Sequence, residues 1–160
     1  MRTPVQARST HTVEAIFEAT IQVLIQLGIK HLTTTKVADR AGVSVGTLYQ
    51  YFPNKSVLLS AALERHLNAV VIAIEQACNA AKAHSVDVMA TSLVNTFVNA
   101  KLSAPDASKA LYAVASELGS ADVVARMTQR SQLALCDMLG TAADVSFSDL
   151  RVVSYVLSTA

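Results

Sequence analysis

The chain has 160 residues, 52% of them hydrophobic and 16% charged, with a formal net charge of +1. That is the length of one ordinary domain, or of a small module joined to a larger one. Five glycines and three prolines are too few for a turn-rich β protein, and no apolar run exceeds six residues, far short of the ~20 of a membrane span.

The chain is therefore expected not to cross a bilayer. No apolar stretch follows Arg2 and Arg8 in the way an export signal needs, so a cytoplasmic location is expected. The near-neutral charge conceals an asymmetry. Residues 1–60 carry six Lys/Arg against Glu14, Glu18 and Asp39, a net +3, while the remainder carries seven against nine acids, a net −2. A mild basic excess at the N-terminal end suits a nucleic-acid partner. Cys78 and Cys136 fall in helical patterns without CxxC spacing. Two buried thiols in a reducing compartment is the plainer reading, and a redox pair the alternative.

In chain order, residues 1–10 are polar and basic and read as a flexible arm, either disordered or touching a DNA backbone. From Thr12 the pattern turns helical, with Val13, Ile16, Phe17, Thr20, Ile21, Leu24 and Ile25 at three- and four-residue steps. Gly28 stands where this helix should stop. Phe17 and Leu24 are expected in the core.

The next stretch, Thr33 to Lys55, carries the most information. Ala38 is small enough to let two helices touch, and Gly42 can take the positive φ that ends a helix in a sharp turn. Leu48 is then the apolar plug of the following helix. Small, glycine, apolar at these offsets is the helix-turn-helix pattern, whose second helix enters the DNA major groove. Thr33 and Thr34 precede the first of the two helices, where a threonine hydroxyl can cap free N–H groups and the helix start suits a phosphate. Ser44 supplies the next cap, for a helix from Val45 to about Tyr51. Gly46, a poor helix former, makes sense if a DNA backbone approaches closely; a local turn preference is the competing account. Thr47 is short enough to read a base edge or a thymine methyl. Tyr49 and Tyr51 carry hydroxyls on rigid arms suited to phosphates, while Leu48 and Phe52 point inward. Pro53 closes the helix and Asn54 caps the next. Lys55 then opposes the dipole at that helix start, a conflict that a phosphate lying there would remove.

Beyond Lys55 the pattern predicts a long helix to about Ala83, then helices over Val86–Ser103, Ala107–Leu118 and Ala121–Leu139, and a last one starting near Ser148. No segment alternates with the two-residue period of a strand. The expected fold is all-α. His11, His31, His66 and His84 show no HxxH or HExxH spacing, and no phosphate-cradling glycine motif or GxSxG elbow occurs. An enzyme, a metal site and a bound cofactor are accordingly not expected.

On Thr33, Val37-Ala38, Ala41-Gly42-Val43-Ser44, Gly46-Thr47-Leu48-Tyr49, Tyr51-Phe52 and Lys55, the chain resembles the TetR family of bacterial transcriptional regulators. The first helix and Gly28 extend the match back to about Arg8; past residue 60 only the order and lengths of helices agree. The resemblance implies a DNA-binding domain over residues 1–54 and a helical ligand-binding and dimerisation domain over 55–160. It implies a homodimer on a double-stranded palindromic operator, most often a repressor, released when a small molecule moves the fourth helix. Thr33, Thr34, Ser44, Val45, Gly46, Thr47, Tyr49, Tyr51 and Lys55 are expected to meet DNA. Met89, Leu93, Phe97, Tyr112 and Met127 are the candidate ligand-binding residues, with plain core or surface as the alternative for each. Their alanine-rich setting points to an apolar or amphipathic effector. A DNA-binding regulator without a ligand is the rival. Two departures stand out: Ser56 replaces the acid usual after the lysine of the fourth helix, and the segment from Ser148 matches the first of two dimerising helices, so the chain is expected to lack its last helix.

Overall fold

The computed structural model describes residues 4–153, with side chains from Ser9 onward. The elements are α1 (Pro4–His31), α2 (Thr34–Ala41), α3 (Val45–Tyr51), α4 (Lys55–Ala80), α5 (Val86–Leu102), α6 (Pro105–Leu118) and α7 (Ala121–Leu139). The chain turns helical again at residue 150, where Asp149 caps the start by accepting from the N–H groups of Arg151 and Val152 at 3.0 and 3.2 Å. No strand occurs among the described residues, as the absence of two-residue alternation requires.

Two compact units divide the chain. One gathers residues up to Arg65 with Asp106–Ser120; the other holds His66–Pro105 and the chain from Ala121 on. The division falls inside α4, so that helix contributes to both cores. In the first unit, Ile16, Leu24, Leu32, Val37, Ala38, Leu48, Leu58, Leu59 and Leu63 are buried, which is the apolar face that the spacing of the first four helices predicts. The hydroxyl of buried Thr20 donates to the Ile16 carbonyl at 2.7 Å, so no polar group is stranded there. In the second unit, Val70, Ile74, Cys78 and Ala81 pack with Met89 and with Leu135, Met138 and Leu139. Cys78 is a free thiol, and burial raises its pKa, with Asp137 and Glu75 adding to the effect.

Four boundaries differ from the sequence reading. Helix α1 begins at Pro4, so most of the expected arm is helical, and residues 1–3 lie outside the described residues. Proline at a first helical position is preorganised for this role, and Ser9 is held by the Tyr51 hydroxyl at 3.2 Å. Gly28 does not end α1 but kinks it, at φ 72° and ψ 168°, a region essentially reserved for glycine. One more turn follows, closed by Leu32 N–H donating to the Gly28 carbonyl at 3.1 Å. Helix α4 stops at Ala80 rather than Ala83, because Ala83 takes a positive φ of 61° and donates its N–H to the Thr141 hydroxyl at 2.9 Å. Helix α6 opens at Pro105, two residues before the expected start.

The segment after α7 braces the turn before α5. Asp144 Oδ1 accepts from Val86 N–H at 2.9 Å, capping α5 from a distant loop, while Ser85 at the cap position makes no such bond. Two helices, α1 from Ser9 and α4, are long and apolar enough to cross a membrane on length and mean hydropathy alone, at 1.4 and 1.6, which the count of uninterrupted apolar residues missed. Each buries one face in a helical core and carries charges elsewhere, Glu14 and Glu18 on one and Glu64, Arg65 and Glu75 on the other. That is the pattern of a core helix in a helical protein.

Candidate nucleic-acid interface

Helices α2 and α3 are each fixed at both ends by residues legible in the sequence. Thr33 caps α2, its hydroxyl accepting from Lys36 N–H at 3.3 Å. Gly42 closes that helix in the left-handed region, at φ 69° and ψ 30°, and Val43 N–H returns to the Ala38 carbonyl at 3.0 Å. Ser44 caps α3 by accepting from Thr47 N–H at 3.0 Å. Ala38 and Leu48 are fully buried, so the small residue and the plug sit where a helix-turn-helix needs them. Phe52 completes the core edge-on against Phe17, ring centroids 5.3 Å apart.

At about 100° per residue, the two positions opposite Leu48 are Gly46 and Gln50, one turn apart, with Thr47 and Tyr49 on the flanks. Gly46 and Gln50 are exposed, Thr47 and Val45 half-buried. A Cβ at Gly46 would meet only the Ser44 hydroxyl, at 3.7 Å. The fold therefore has ample room for alanine there, and its φ is not one that calls for glycine.

The hydroxyls expected to meet DNA are engaged within the chain. Thr47 shares a hydrogen bond with Ser44 (2.9 Å), and Tyr49 with Thr34 (3.0 Å), linking α3 to the start of α2. Tyr51 is half-buried and donates to Ser9. Lys55 Nζ donates to the Ile29 carbonyl at 2.5 Å, and Lys36 Nζ to the His31 carbonyl at 3.0 Å. Two ammonium groups thus neutralise the C-terminal carbonyls of α1, the negative end of its dipole. The misplaced charge that Lys55 presents in the sequence is answered inside the chain by a helix end 26 residues earlier. Asn54 caps α4 through Val57 N–H at 2.9 Å.

Further along α4, Arg65 grips α1. Its guanidinium donates to both carboxylate oxygens of Glu14, the Nη1 bond measuring 2.6 Å, and lies 5.0 Å above the Phe17 ring centroid. The Arg65 bond holds the Glu14 carboxyl below the usual carboxylate range, and Glu14 in turn raises the arginine. Neither residue stood out in the sequence, since nothing local pairs positions 51 residues apart. Gln50 could have been found: it lies two residues past the plug, on the side away from the core.

Of the residues expected to line a ligand site, Met89 is at the centre of the second unit's core and Leu93 packs against it. Phe97 is half-exposed, with Lys101 Nζ 5.3 Å over its ring, and Met127 is buried. These four belong to the second unit and Tyr112 to the first. Beside Met127, Arg130 makes a two-pronged pair with Glu75 at 3.1 and 2.9 Å and reaches Asn68 at 2.6 Å. Among the described residues no three His, Cys, Asp or Glu side chains are grouped to hold a metal.

Two family models match the chain: one for bacterial regulatory proteins of the TetR family over residues 16–62, and one for a tetracycline-repressor-like C-terminal domain over residues 85–160. Among curated relatives, the HTH-type transcriptional repressor KstR of Mycobacterium tuberculosis is 44% identical over 55 residues, which is 34% of this chain and 25% of that protein. The chain thus spans about a quarter of the length of such relatives. Among solved structures, the fatty acid degradation regulator FadR of Bacillus halodurans superimposes with a TM-score of 0.75 over 98% of this chain and 79% of that one, at 22% identity. A TetR family transcription regulator from Marinobacter aquaeolei gives 0.70 over 81% and 67%, also at 22%; both likenesses concern the fold. With a capped helix-turn-helix in its first unit and two family models covering most of its length, the chain belongs to the TetR family of bacterial transcriptional regulators.

Proposed function

We propose that this protein binds a palindromic DNA operator as a homodimer in the bacterial cytoplasm, acts as a repressor, and is released by a small apolar or amphipathic molecule. The observation that carries the DNA reading is the outward face of α3. Gly46 stands there, costing up to about 1 kcal/mol of helix stability against alanine, although the chain leaves space for a side chain. A residue retained against propensity and without an internal steric reason fits an external surface that comes close. The duplex phosphates would meet Thr33, Thr34, Ser44, Val45, Tyr49, Tyr51 and Lys55, of which Tyr49 and Thr34 share a hydrogen bond between α3 and the start of α2. Thr47 flanks the base edges. For the effector, Met89, Leu93, Phe97, Tyr112 and Met127 remain the proposed contacts, with residues 1–54 as the DNA-binding part and 55–160 as the part that binds ligand and partner.

The test is equilibrium binding of the full chain to duplexes selected from a randomised pool. A selected site with two inverted half-sites about one helical turn apart is expected, with affinity falling steeply as salt rises. A chain that enriches no sequence would overturn the proposal. A chain that binds selectively, yet is neither released nor thermally stabilised by any apolar compound, would leave a DNA-binding regulator without a ligand.

A further inference from the structure

We infer that Gln50 is the residue of α3 that reads sequence, and that it selects an adenine in each half-site. The inference rests on the DNA-binding reading above and makes it more specific. Along α3 the hydroxyls of Thr47, Tyr49 and Tyr51 are each hydrogen-bonded within the chain, to Ser44, Thr34 and Ser9. Gln50 alone among these polar residues is exposed with its amide unbonded among the described residues. It sits on the ridge farthest from the buried plug Leu48, one turn beyond Gly46. The glycine keeps that ridge low, so a helix seated on it can go deep into the groove, bringing the next side chain on the ridge to the base edges.

A primary amide carries one acceptor and two donors on a planar fork. Adenine offers an acceptor at N7 and a donor at N6 on its major-groove edge, and the two sets are complementary in one plane. Guanine presents two acceptors there and cytosine a donor, so each leaves one arm of the amide unmatched. Thr47, which the sequence suggested as the base reader, has its hydroxyl turned to the helix cap, leaving its methyl group for apolar contact.

The full chain, its Gln50→Ala variant and its Gln50→Glu variant are each used to select from duplexes with a randomised core. Far-UV circular dichroism and melting curves confirm that the exposed substitutions leave the fold intact. The wild-type chain is expected to require adenine at one position of each half-site, by roughly tenfold or more over the other bases. Gln50→Ala should lose preference at that position alone and keep its salt dependence. Gln50→Glu, now only an acceptor, should turn the preference toward cytosine, whose N4 donates. Retention of every wild-type preference by Gln50→Ala would overturn the inference while leaving the DNA-binding function standing. So would a uniform loss on all sequences, which marks a backbone contact. If the wild-type chain itself selects no sequence, both fall together.

Discussion

Gly46 and Lys55 show how one residue type can be explained from inside the fold and another only from outside it. Lys55 is answered internally: its ammonium closes the end of α1 through the Ile29 carbonyl. Lys55→Ala should therefore cost stability even without DNA, by about 1 kcal/mol for a partly exposed charged hydrogen bond, seen as a lower denaturation midpoint at unchanged slope. If a phosphate shares the ammonium, the same variant also reduces the log–log salt slope of DNA binding by about one unit; an unchanged slope would restrict Lys55 to its capping role. Gly46 has no internal reason. Gly46→Ala should leave stability unchanged or raise it by up to about 1 kcal/mol, while operator affinity drops because a methyl group now stands on the ridge. Higher stability with undiminished affinity would return Gly46 to a mere turn preference. The sequence marks both positions as anomalies, one against the dipole and one against propensity. It could not say which was already compensated, because the compensating carbonyl comes from another helix.

The elements whose ends are set by local chemistry were legible, and those set by distant partners were not. Helices α2, α3 and α7 lie where Thr33, Gly42, Ser44 and the breakers at Gly119 and Gly140 put them. The start of α1 and the end of α4 were misplaced, since Ser9 answers to Tyr51 and Ala83 to Thr141. The joint between α1 and α4 was likewise invisible. There Glu14 is held below its ordinary pKa by Arg65, so folding is linked to its ionisation. The pair contributes fully above the unfolded glutamate value of 4.5 and is lost as pH falls through the lower native value. His66, the next residue of α4, is pushed down by burial and then by Lys101. It therefore weakens the fold at a higher pH, as pH falls below the ordinary histidine value of 6.5. Melting temperatures should accordingly decline in two windows. Glu14→Gln should flatten the lower window and leave the upper one, whereas His66→Gln should do the reverse. Identical profiles for Glu14→Gln and wild type below about pH 5 would remove the Glu14–Arg65 pair as a contributor.

At the scale of the molecule, α4 belongs to both compact units, the division falling between Arg65 and His66. The first of these residues is tied to α1 through Glu14 and Phe17; a turn and more farther on, Val70, Ile74 and Cys78 pack into the second core. A regulator built this way can respond to an effector only if the effector prefers one arrangement of the chain, since a ligand with equal affinity for two states shifts neither. Linkage then fixes two observations that must agree. An effector present at about a hundred times its Kd should stabilise the free protein by about 2.7 kcal/mol, read as a raised melting temperature. The factor by which it weakens operator binding must equal the factor by which operator weakens effector binding. Titrating effector into the free protein and into the operator complex measures both sides of that equality. A compound that raises the melting temperature but binds both forms alike is a passive ligand and no inducer. Substitutions at Met89 or Leu93 disturb the packed core around them, so their effect on Kd needs a stability control. Phe97, half-exposed beneath Lys101, does not carry that difficulty. Phe97→Ala should weaken the effector with little change in melting temperature of the unliganded chain, and an unchanged Kd would take this face of α5 out of the effector site.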